Sequence, residues 1–424
     1  MTSSSNDDLI KSVAVIGLGY VGLPTAALLA MSGVNTLGVD INVGHINSLK
    51  AGKFVSRENG LNEVIAEATK LSRLSFSTEI KSSDAYIIAV PTPVDDTRTP
   101  DMTYVLRAAE SIAKVIKPGQ LVVLESTSPP GATKQIVRKI GELRPELDVS
   151  GEGKDAIKFA YCPERVLPGD ALYEIVHNER LIGGLTKDSE RDAIRLYSNF
   201  SRGAIVACSD EEAEVAKLVE NSYRDVNIAF ANEVARISSK IGVRADAVIS
   251  LANRHPRVNI LNPGIGVGGH CISVDPWFLV YSAPEESALI RVARSVNDSQ
   301  PLRLAERVLE VASNKVLKHV YVLGLTYKPN SDDLRESPSL SFARHLLRNG
   351  LEAALHLVDP VLSQEQIETL SREFPSVSQG KPNFESDSVV VITVDHDQFK
   401  SWDFKGTTII RLPNIGQVIP DAND

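Results

Sequence analysis

Asn262-Pro263-Gly264-Ile265-Gly266-Val267-Gly268-Gly269-His270-Cys271 runs a glycine-rich segment straight into a cysteine, and Asp275 follows. Glycines let backbone come close to a ligand. The reactive form of a cysteine is the thiolate, a minor species for a thiol whose pKa is roughly 8.5. His270 or Lys217 can promote that ionisation, and Asp275 can orient a base or a water. The same cysteine also reads as a small buried hydrophobe. Lys217, Asn221 and Arg224 are spaced i, i+4 and i+7, so on a helix they share a face. That stripe is either a solvated surface or two cations flanking an amide, set to meet an anionic substrate or a developing oxyanion.

A second chemistry begins at Gly17-Leu18-Gly19-Tyr20-Val21-Gly22, between a strand-like run and a helical one. The first glycine permits a tight turn, the second admits a pyrophosphate, and the third allows close helix–strand packing. The helix then directs its positive end at the phosphates. Asp40 closes the next strand, where a carboxylate binds a ribose 2′-hydroxyl and repels a 2′-phosphate, so NAD is expected rather than NADP. Val90-Pro91-Thr92-Pro93 and Glu125-Ser126-Thr127-Ser128-Pro129-Pro130-Gly131 follow later strands. Thr92 and Thr127 either line the cofactor cleft or stand in proline-stiffened turns. In Tyr327-Lys328-Pro329-Asn330-Ser331-Asp332-Asp333-Leu334-Arg335, Lys328 can neutralise a phosphate and Arg335 can reach an anion; an ordinary charged loop is the other reading.

These residues need a scaffold. Apolar runs at Ser12–Gly17, Thr36–Asp40, Ala85–Val90, Leu121–Glu125, Ile157–Tyr161 and Leu181–Gly183 alternate with helical patterns such as Met102–Ile116 and Ala132–Leu143. That is the pattern of a parallel, doubly wound α/β sheet. Ser209 and Glu212 form a capping-box signal for a helix running to about Ile241, where Gly242 stops it; two shorter helices with a kink are the alternative. After a helix over Pro301–Ser313, strands are expected at His319–Leu325, Ala354–Val358, Ser388–Thr393 and Thr407–Arg411, with Ser376–Asn383 an exposed loop. The plan is two Rossmann-like α/β domains, 1–208 and 314–424, joined by a helical middle, 209–313, that carries Cys271.

The 424 residues exceed one ordinary domain, and 43% hydrophobic with 23% charged residues is a globular composition. The net charge of −9 argues against non-specific nucleic-acid binding. Cys162, Cys208 and Cys271 are too few and too irregular for a disulfide framework or a zinc site, so no metal is expected. No apolar stretch reaches the roughly 18 residues of a membrane span, and the first residues lack a signal core. A cytoplasmic protein is expected.

Together these segments resemble the UDP-glucose/GDP-mannose (nucleotide-sugar 6-) dehydrogenase family. The wording of Ala160-Tyr161-Cys162-Pro163-Glu164-Arg165-Val166-Leu167-Pro168-Gly169, of Glu220 through Glu233 and of Arg254 through Trp277 looks like its UDP-N-acetyl-D-mannosamine dehydrogenases. His270 and Val274 stand where UDP-glucose enzymes typically carry serine and lysine. The resemblance implies that Cys271 is the nucleophile of a four-electron oxidation at sugar C6 and Lys217 its proton donor or acceptor. Asn221 and Asp275 would hold the oxyanion and the hydrolytic water, with Glu164 and Thr127 in acid–base or water-positioning roles. It implies substrate contacts at Arg165, Val166, Arg224, Gly268, Tyr327 and Lys328, and at His255 and Arg257 toward a neighbouring subunit. Cofactor contacts are implied at Tyr20, Val21, Asp40, Thr92, Thr127 and Arg335. A C-terminal domain binding UDP and a homodimer through the central helix also follow. Asn59 and Arg411-Leu412-Pro413-Asn414 depart from the family pattern. The alternatives are the same chemistry on UDP-N-acetylglucosamine or UDP-glucose, a two-electron β-hydroxyacid-type dehydrogenase, and a non-catalytic NAD-binding protein.

Overall fold

The computed structural model describes residues 10–56, 58–95, 97–166, 170–269 and 271–411. His270, Leu167-Pro168-Gly169 and Leu412-Pro413-Asn414 lie outside the described residues. The chain divides into two compact units, residues 1–219 with 277–282, and residues 220–276 with 283–424.

In the first unit, β1 (Ser12–Ile16), β2 (Asn35–Val39), β3 (Leu74–Ser77), β4 (Ala85–Ile88), β5 (Leu121–Leu124), β6 (Lys158–Tyr161), β7 (Arg180–Gly184) and β8 (Ile205–Ser209) make one sheet. Their order is β3-β2-β1-β4-β5-β6-β7-β8. Every residue of β4, β5 and β6 is buried, which explains their uninterrupted apolar sequences. Alternate residues feed two cores. Val13, Val15, Ile87 and Val123 pack with Ala26 and Leu29 of helix Gly22–Met31. Ala14, Tyr86, Ile88 and Val122 pack with Ile112 of helix Thr103–Ala113 and Ile136 of helix Ala132–Leu143. Strand order reverses between β1 and β4, and ligands of such sheets bind at the carboxyl ends beside that reversal.

The wholly parallel sheet expected from the sequence is corrected at one place. β7 pairs with β6 antiparallel, Ala160 opposite Gly184 and Tyr161 opposite Gly183, and β8 follows β7. An antiparallel neighbour needs no crossover to the far end of the sheet. The segment between β6 and β7, which includes Glu164, Arg165 and Val166, therefore stays at the carboxyl end. β3 and β8 escaped the sequence reading because both are edge strands; β8 has no buried residue.

Helix Asp210–Ile241 is one continuous helix of 32 residues, about 48 Å at 1.5 Å per residue, which removes the two-helix alternative. Ser209 Oγ accepts the Glu212 N–H (3.2 Å) and Glu212 Oε2 accepts the Ser209 N–H (2.9 Å), completing the expected capping box. The helix stops at Gly242, which takes φ +86°. Among the described residues, no helix is long and apolar enough to cross a membrane.

The second unit takes the helix from Glu220 onward. It adds helices Ala245–Ala252, Ala288–Asp298 and Gln300–Asn314 and an all-parallel sheet of β9 (His319–Leu323), β10 (Ala354–Val358), β11 (Val377–Ser378), β12 (Ser388–Ile392) and β13 (Thr408–Arg411). The order β11-β10-β9-β12-β13 reverses between β9 and β12, a second doubly wound arrangement. β11 lies inside the segment expected to be loop only. Its two residues pair with Leu357 and Val358, an edge strand too short to leave a hydrophobic signature.

Candidate active site

In the first unit the glycine fingerprint bridges β1 and helix Gly22–Met31. Gly17 takes φ +94°, and a Cβ there would lie 2.3 Å from the Ala89 oxygen. A Cβ on Gly22 would lie 1.9 Å from the Gly17 oxygen. Both positions therefore require glycine. A Cβ on Gly19 would meet nothing within 4 Å, so open space stands above the loop where a pyrophosphate fits. Asp40, at the end of β2, accepts the Leu18 N–H through Oδ2 (3.0 Å) and the Asn42 N–H through Oδ1 (2.9 Å). Tyr20 and Val21, both half-buried, complete the turn. At the ends of β4 and β5, Thr92 Oγ1 donates to the Thr127 carbonyl (2.5 Å), joining the two proline-stiffened segments. This donor and acceptor set suits a dinucleotide with a free 2′-hydroxyl, and its residues would hold the pyrophosphate, ribose and nicotinamide side.

Beyond β6, Glu164 Oε1 accepts the Arg165 N–H (2.5 Å), and Arg165 also reaches the Glu179 carbonyl (3.5 Å). Glu164 Oε2 is enclosed and has no hydrogen-bond partner among the described residues. Burial pushes the Glu164 carboxyl above the usual carboxylate range, against the pull of Arg180, the Arg165 N–H and Lys217, while Glu174 adds to the rise. Val166 packs on the core beneath. Lys217 is 7% exposed, so the solvated-surface alternative fails at this end of its stripe.

Sequence reasoning missed the layer below Glu164. Glu125 closes β5 at 1% exposure and accepts from Thr25 Oγ1 (3.3 Å) and Tyr197 Oη (3.2 Å). Arg180 lies 3.8 Å from it, donates to the Cys162 sulfur (3.4 Å) and stacks on Tyr197 (4.8 Å). Burial foremost, then the charge of Glu164, pushes Glu125 up to about 8. Burial pushes the Cys162 thiol up to about 12, so this cysteine is an inert one. The available signal was the acid that ends the apolar run Leu121-Val122-Val123-Leu124.

In the second unit Asn221 Nδ2 donates to Asp275 Oδ2 (2.5 Å). Asp275 is 2% exposed, and its N–H donates to the Cys271 carbonyl (2.8 Å), so the two residues stand one turn of chain apart. Cys271 is half-buried. Asn221 follows Lys217 by one helical turn, whereas Arg224 is exposed and keeps the solvated reading open at the far end of the stripe. Gly269 donates to the Arg335 carbonyl (3.0 Å), and its neighbour Gly268 packs against Tyr327 Cβ. Lys328 Nζ stands 5.9 Å from the Tyr327 ring centroid, and Arg335 pairs with Asp333 (2.6 Å). Burial foremost, then the Asp333 charge and the neighbouring Cys271, raises the Tyr327 hydroxyl above its ordinary value, and Arg335 is raised chiefly by its bond to Asp333. The structure thus gathers Cys271, Asn221, Asp275, Gly268, Tyr327 and Arg335. His255 and Arg257 are exposed after helix Ala245–Ala252, with His255 Nδ1 accepting the Arg257 N–H (3.3 Å).

The loop that carries Cys271 has a further support. The Gly264 N–H donates to Asn232 Oδ1 (2.8 Å), Asn232 Nδ2 to Asn297 Oδ1 (2.9 Å), and Asn297 Nδ2 to Asp225 Oδ1 (2.8 Å). Arg294 donates to the same Asp225 oxygen (2.6 Å).

Family models match three consecutive parts of the chain. These are the NAD binding domain (residues 11–201), the central domain (211–299) and the UDP binding domain (321–415) of UDP-glucose/GDP-mannose dehydrogenases. An NDP-N-acetyl-D-galactosaminuronic acid dehydrogenase of Ralstonia solanacearum is 45% identical, covering 93% of this chain and 92% of its own. A UDP-N-acetyl-D-mannosamine dehydrogenase of Yersinia pestis is 44% identical, covering 92% and 95%. Among solved structures, the UDP-D-ManNAc dehydrogenase of Pyrococcus horikoshii superposes with a TM-score of 0.86 at 36% identity over 97% of each chain.

Proposed function

The chain belongs to the UDP-glucose/GDP-mannose dehydrogenase family, and from that premise we propose that it oxidises C6 of UDP-N-acetyl-D-mannosamine to the carboxylate through a cysteine thioester. The observation that carries this reading is the placement of Cys271 one turn before an Asp275 carboxylate that is bonded to Asn221. That is a nucleophile with an adjacent amide and acid, on a chain whose first domain is the family's NAD-binding domain.

The oxidation removes two hydrides, and NAD, when bound, accepts one in each stage. Lys217 takes the C6 hydroxyl proton in the first. Cys271 Sγ then adds to the aldehyde carbon, and Lys217 and Asn221 hold the resulting oxyanion, a donor pair of the kind typically worth about 3 kcal/mol each. Loss of the second hydride leaves an acyl group on sulfur. Water held by Asp275 and Thr127, with Glu164 as the acid–base group, cleaves the carbon–sulfur bond and returns the thiol. Without covalent capture the aldehyde would have to wait unprotected for a fresh hydride acceptor.

Functional boundaries follow as residues 1–208 for NAD, 209–313 for the nucleophile and dimerisation, and 314–424 for UDP. Arg165, Val166, Arg224, Gly268, Tyr327 and Lys328 contact the nucleotide sugar, His255 and Arg257 reach the partner's site, and Arg335 touches the cofactor. The location proposed is cytoplasmic, and the proposed homodimer through the long helix is supported by Tyr223, Phe230 and Ile237, exposed at seven-residue intervals (66%, 54% and 51%). A second reading, a galacto-configured N-acetylated sugar nucleotide, is favoured by the name of the 45% identical relative. NADH formation with the UDP derivatives of N-acetylmannosamine, N-acetylgalactosamine, N-acetylglucosamine and glucose decides among them. Fastest turnover of the mannosamine supports the first reading, and fastest turnover of any other overturns it.

A further inference from the structure

Helix Ala132–Leu143 opens at Gly131, which takes φ +86° and has no side chain to cap the helix. Its first donors go instead to Glu214, on the long helix 81 to 83 residues further along the chain. Glu214 Oε2 accepts the Gly131 N–H (2.6 Å), and Oε1 accepts both the Thr133 N–H (2.8 Å) and the Thr133 hydroxyl (2.7 Å). Glu214 is fully buried, so its carboxyl meets the positive end of a helix away from water. Burial raises that carboxyl above the usual carboxylate range, and the bonds from Thr133 and Gly131 pull the other way. Ala213, Lys217 and Leu218 share the buried face with it. Beneath them lies Gly183 of β7, where a Cβ would come within 2.9 Å of the Ala213 Cβ and 2.5 Å of the Ser209 oxygen, so the helix rests directly on the sheet. Lys217 follows Glu214 by three residues, about 4.5 Å along the axis, and its charge acts on Glu164.

We infer that Glu214 is a positioning residue: it clasps the start of the long helix to the segment carrying Thr127, and so holds Lys217 and Thr127 in one frame. That segment, Thr127-Ser128-Pro129-Pro130-Gly131, is stiffened by two prolines and tied at both ends. At its start the Thr127 carbonyl accepts from Thr92 Oγ1 (2.5 Å), and Ser126 Oγ donates to the Val90 carbonyl (2.6 Å). At its end stands Glu214. Lys217 carries its ammonium on a flexible four-carbon stem, so the backbone beneath it decides where the charge is delivered. A second link joins the same two helices, the Lys134–Glu211 pair (2.6 Å), but its side chains are 43% and 54% exposed and such pairs hold little. Glu214 is the buried, three-bonded link of the two. A misplacement of about 1 Å from a change remote from the chemistry can cost about a hundredfold in rate, so the clasp is read in turnover rather than affinity.

The roles of Lys217 and Thr127 rest on the function proposed above, so the test has one arm that needs no turnover. In Glu214→Gln the amide oxygen can keep Thr133, but the amide nitrogen sets a donor against the Gly131 N–H. Hydrogen exchange over residues 127–136 and 211–219 is therefore expected to quicken at least about tenfold. Unchanged exchange overturns the clasp whatever the enzyme's substrate. In the second arm kcat of Glu214→Gln should fall at least about tenfold, with KM for NAD and for the sugar nucleotide within about threefold, because the glycine fingerprint and Asp40 are untouched. Lys134→Ala, which cuts the exposed link between the same helices, should leave exchange and kcat within about twofold. An equal fall in Lys134→Ala would mean general loosening and overturns the assignment to Glu214. Thr133→Val, which removes one donor and keeps the carboxyl, should move exchange and kcat the same way by less, and serves if Glu214→Gln does not fold. Quickened exchange with unmoved kcat, beside an inactive Lys217→Ala, overturns the positioning role alone. A fully active Lys217→Ala overturns the role proposed for Lys217, and the positioning role falls with it.

Discussion

Replacing Asn232 by alanine tests whether the Cys271 loop hangs from a directional hydrogen-bond chain. The chain starts at a backbone donor, Gly264 N–H, and ends at an acceptor, the Asp225 carboxylate, so each amide between them has one allowed orientation. Asn232 is fully buried (0% exposed) and makes one bond in each direction. Its loss leaves Asn297 Oδ1 unpaired in the interior, at about 1–3 kcal/mol. Gly264 is half-buried, so water can replace part of its bond, and about 1 kcal/mol is expected there. The total is roughly 2–4 kcal/mol. Asn232→Asp keeps the acceptor for Gly264 but sets a second acceptor against Asn297, which can turn its amide only by abandoning Asp225. It should therefore cost as much as alanine or more. The assay is urea unfolding followed by Trp402 fluorescence in a Trp277→Phe background, those being the two tryptophans. Hydrogen exchange over residues 262–275 is measured in parallel. A loss under about 0.5 kcal/mol, with unchanged exchange, would refute the chain as the loop's support.

Cys271→Ser should abolish the second oxidation and cut turnover at least about a thousandfold, while NAD affinity by calorimetry stays within about twofold, since the fingerprint is untouched. Wild-type-like turnover would reject covalent capture. The folded Glu125 carboxyl, raised to about 8 from 4.5, favours the protonated form in the native state. Its stability contribution is thus complete below about pH 4.5 and is lost as pH rises toward about 8, by at most about 1.4 kcal/mol per pH unit. The difference in unfolding free energy between wild type and Glu125→Gln should therefore slope downward across that window. A flat difference would contradict the buried acid.

Most of what positions the chemistry was legible because it is encoded locally. Gly17 and Gly22 are demanded by clashes with Ala89 and with Gly17 itself, and Asp40 closes the very next strand. The capping box at Ser209 and Glu212 also announces itself within four residues. What escaped reading has non-local or weak signals. The reversal of β7 is decided by how the chain returns beside β6, and β11 is only two residues long. Glu125 and Asn232 look unremarkable in sequence, since their partners Arg180, Tyr197 and Asn297 lie 55 to 72 residues away. The face of Lys217, Asn221 and Arg224 was ambiguous in sequence for a good reason: burial grades along it from 7% exposure at Lys217 to an open Arg224.

The most direct test of the proposed four-electron chemistry is the number of NADH formed per UDP-N-acetyl-D-mannosamine consumed, with the sugar products resolved by mass spectrometry. Two NADH with only the carboxylate product are expected, because Cys271 holds the intermediate until the second hydride leaves. One NADH with free aldehyde, at full wild-type rate, would contradict the account.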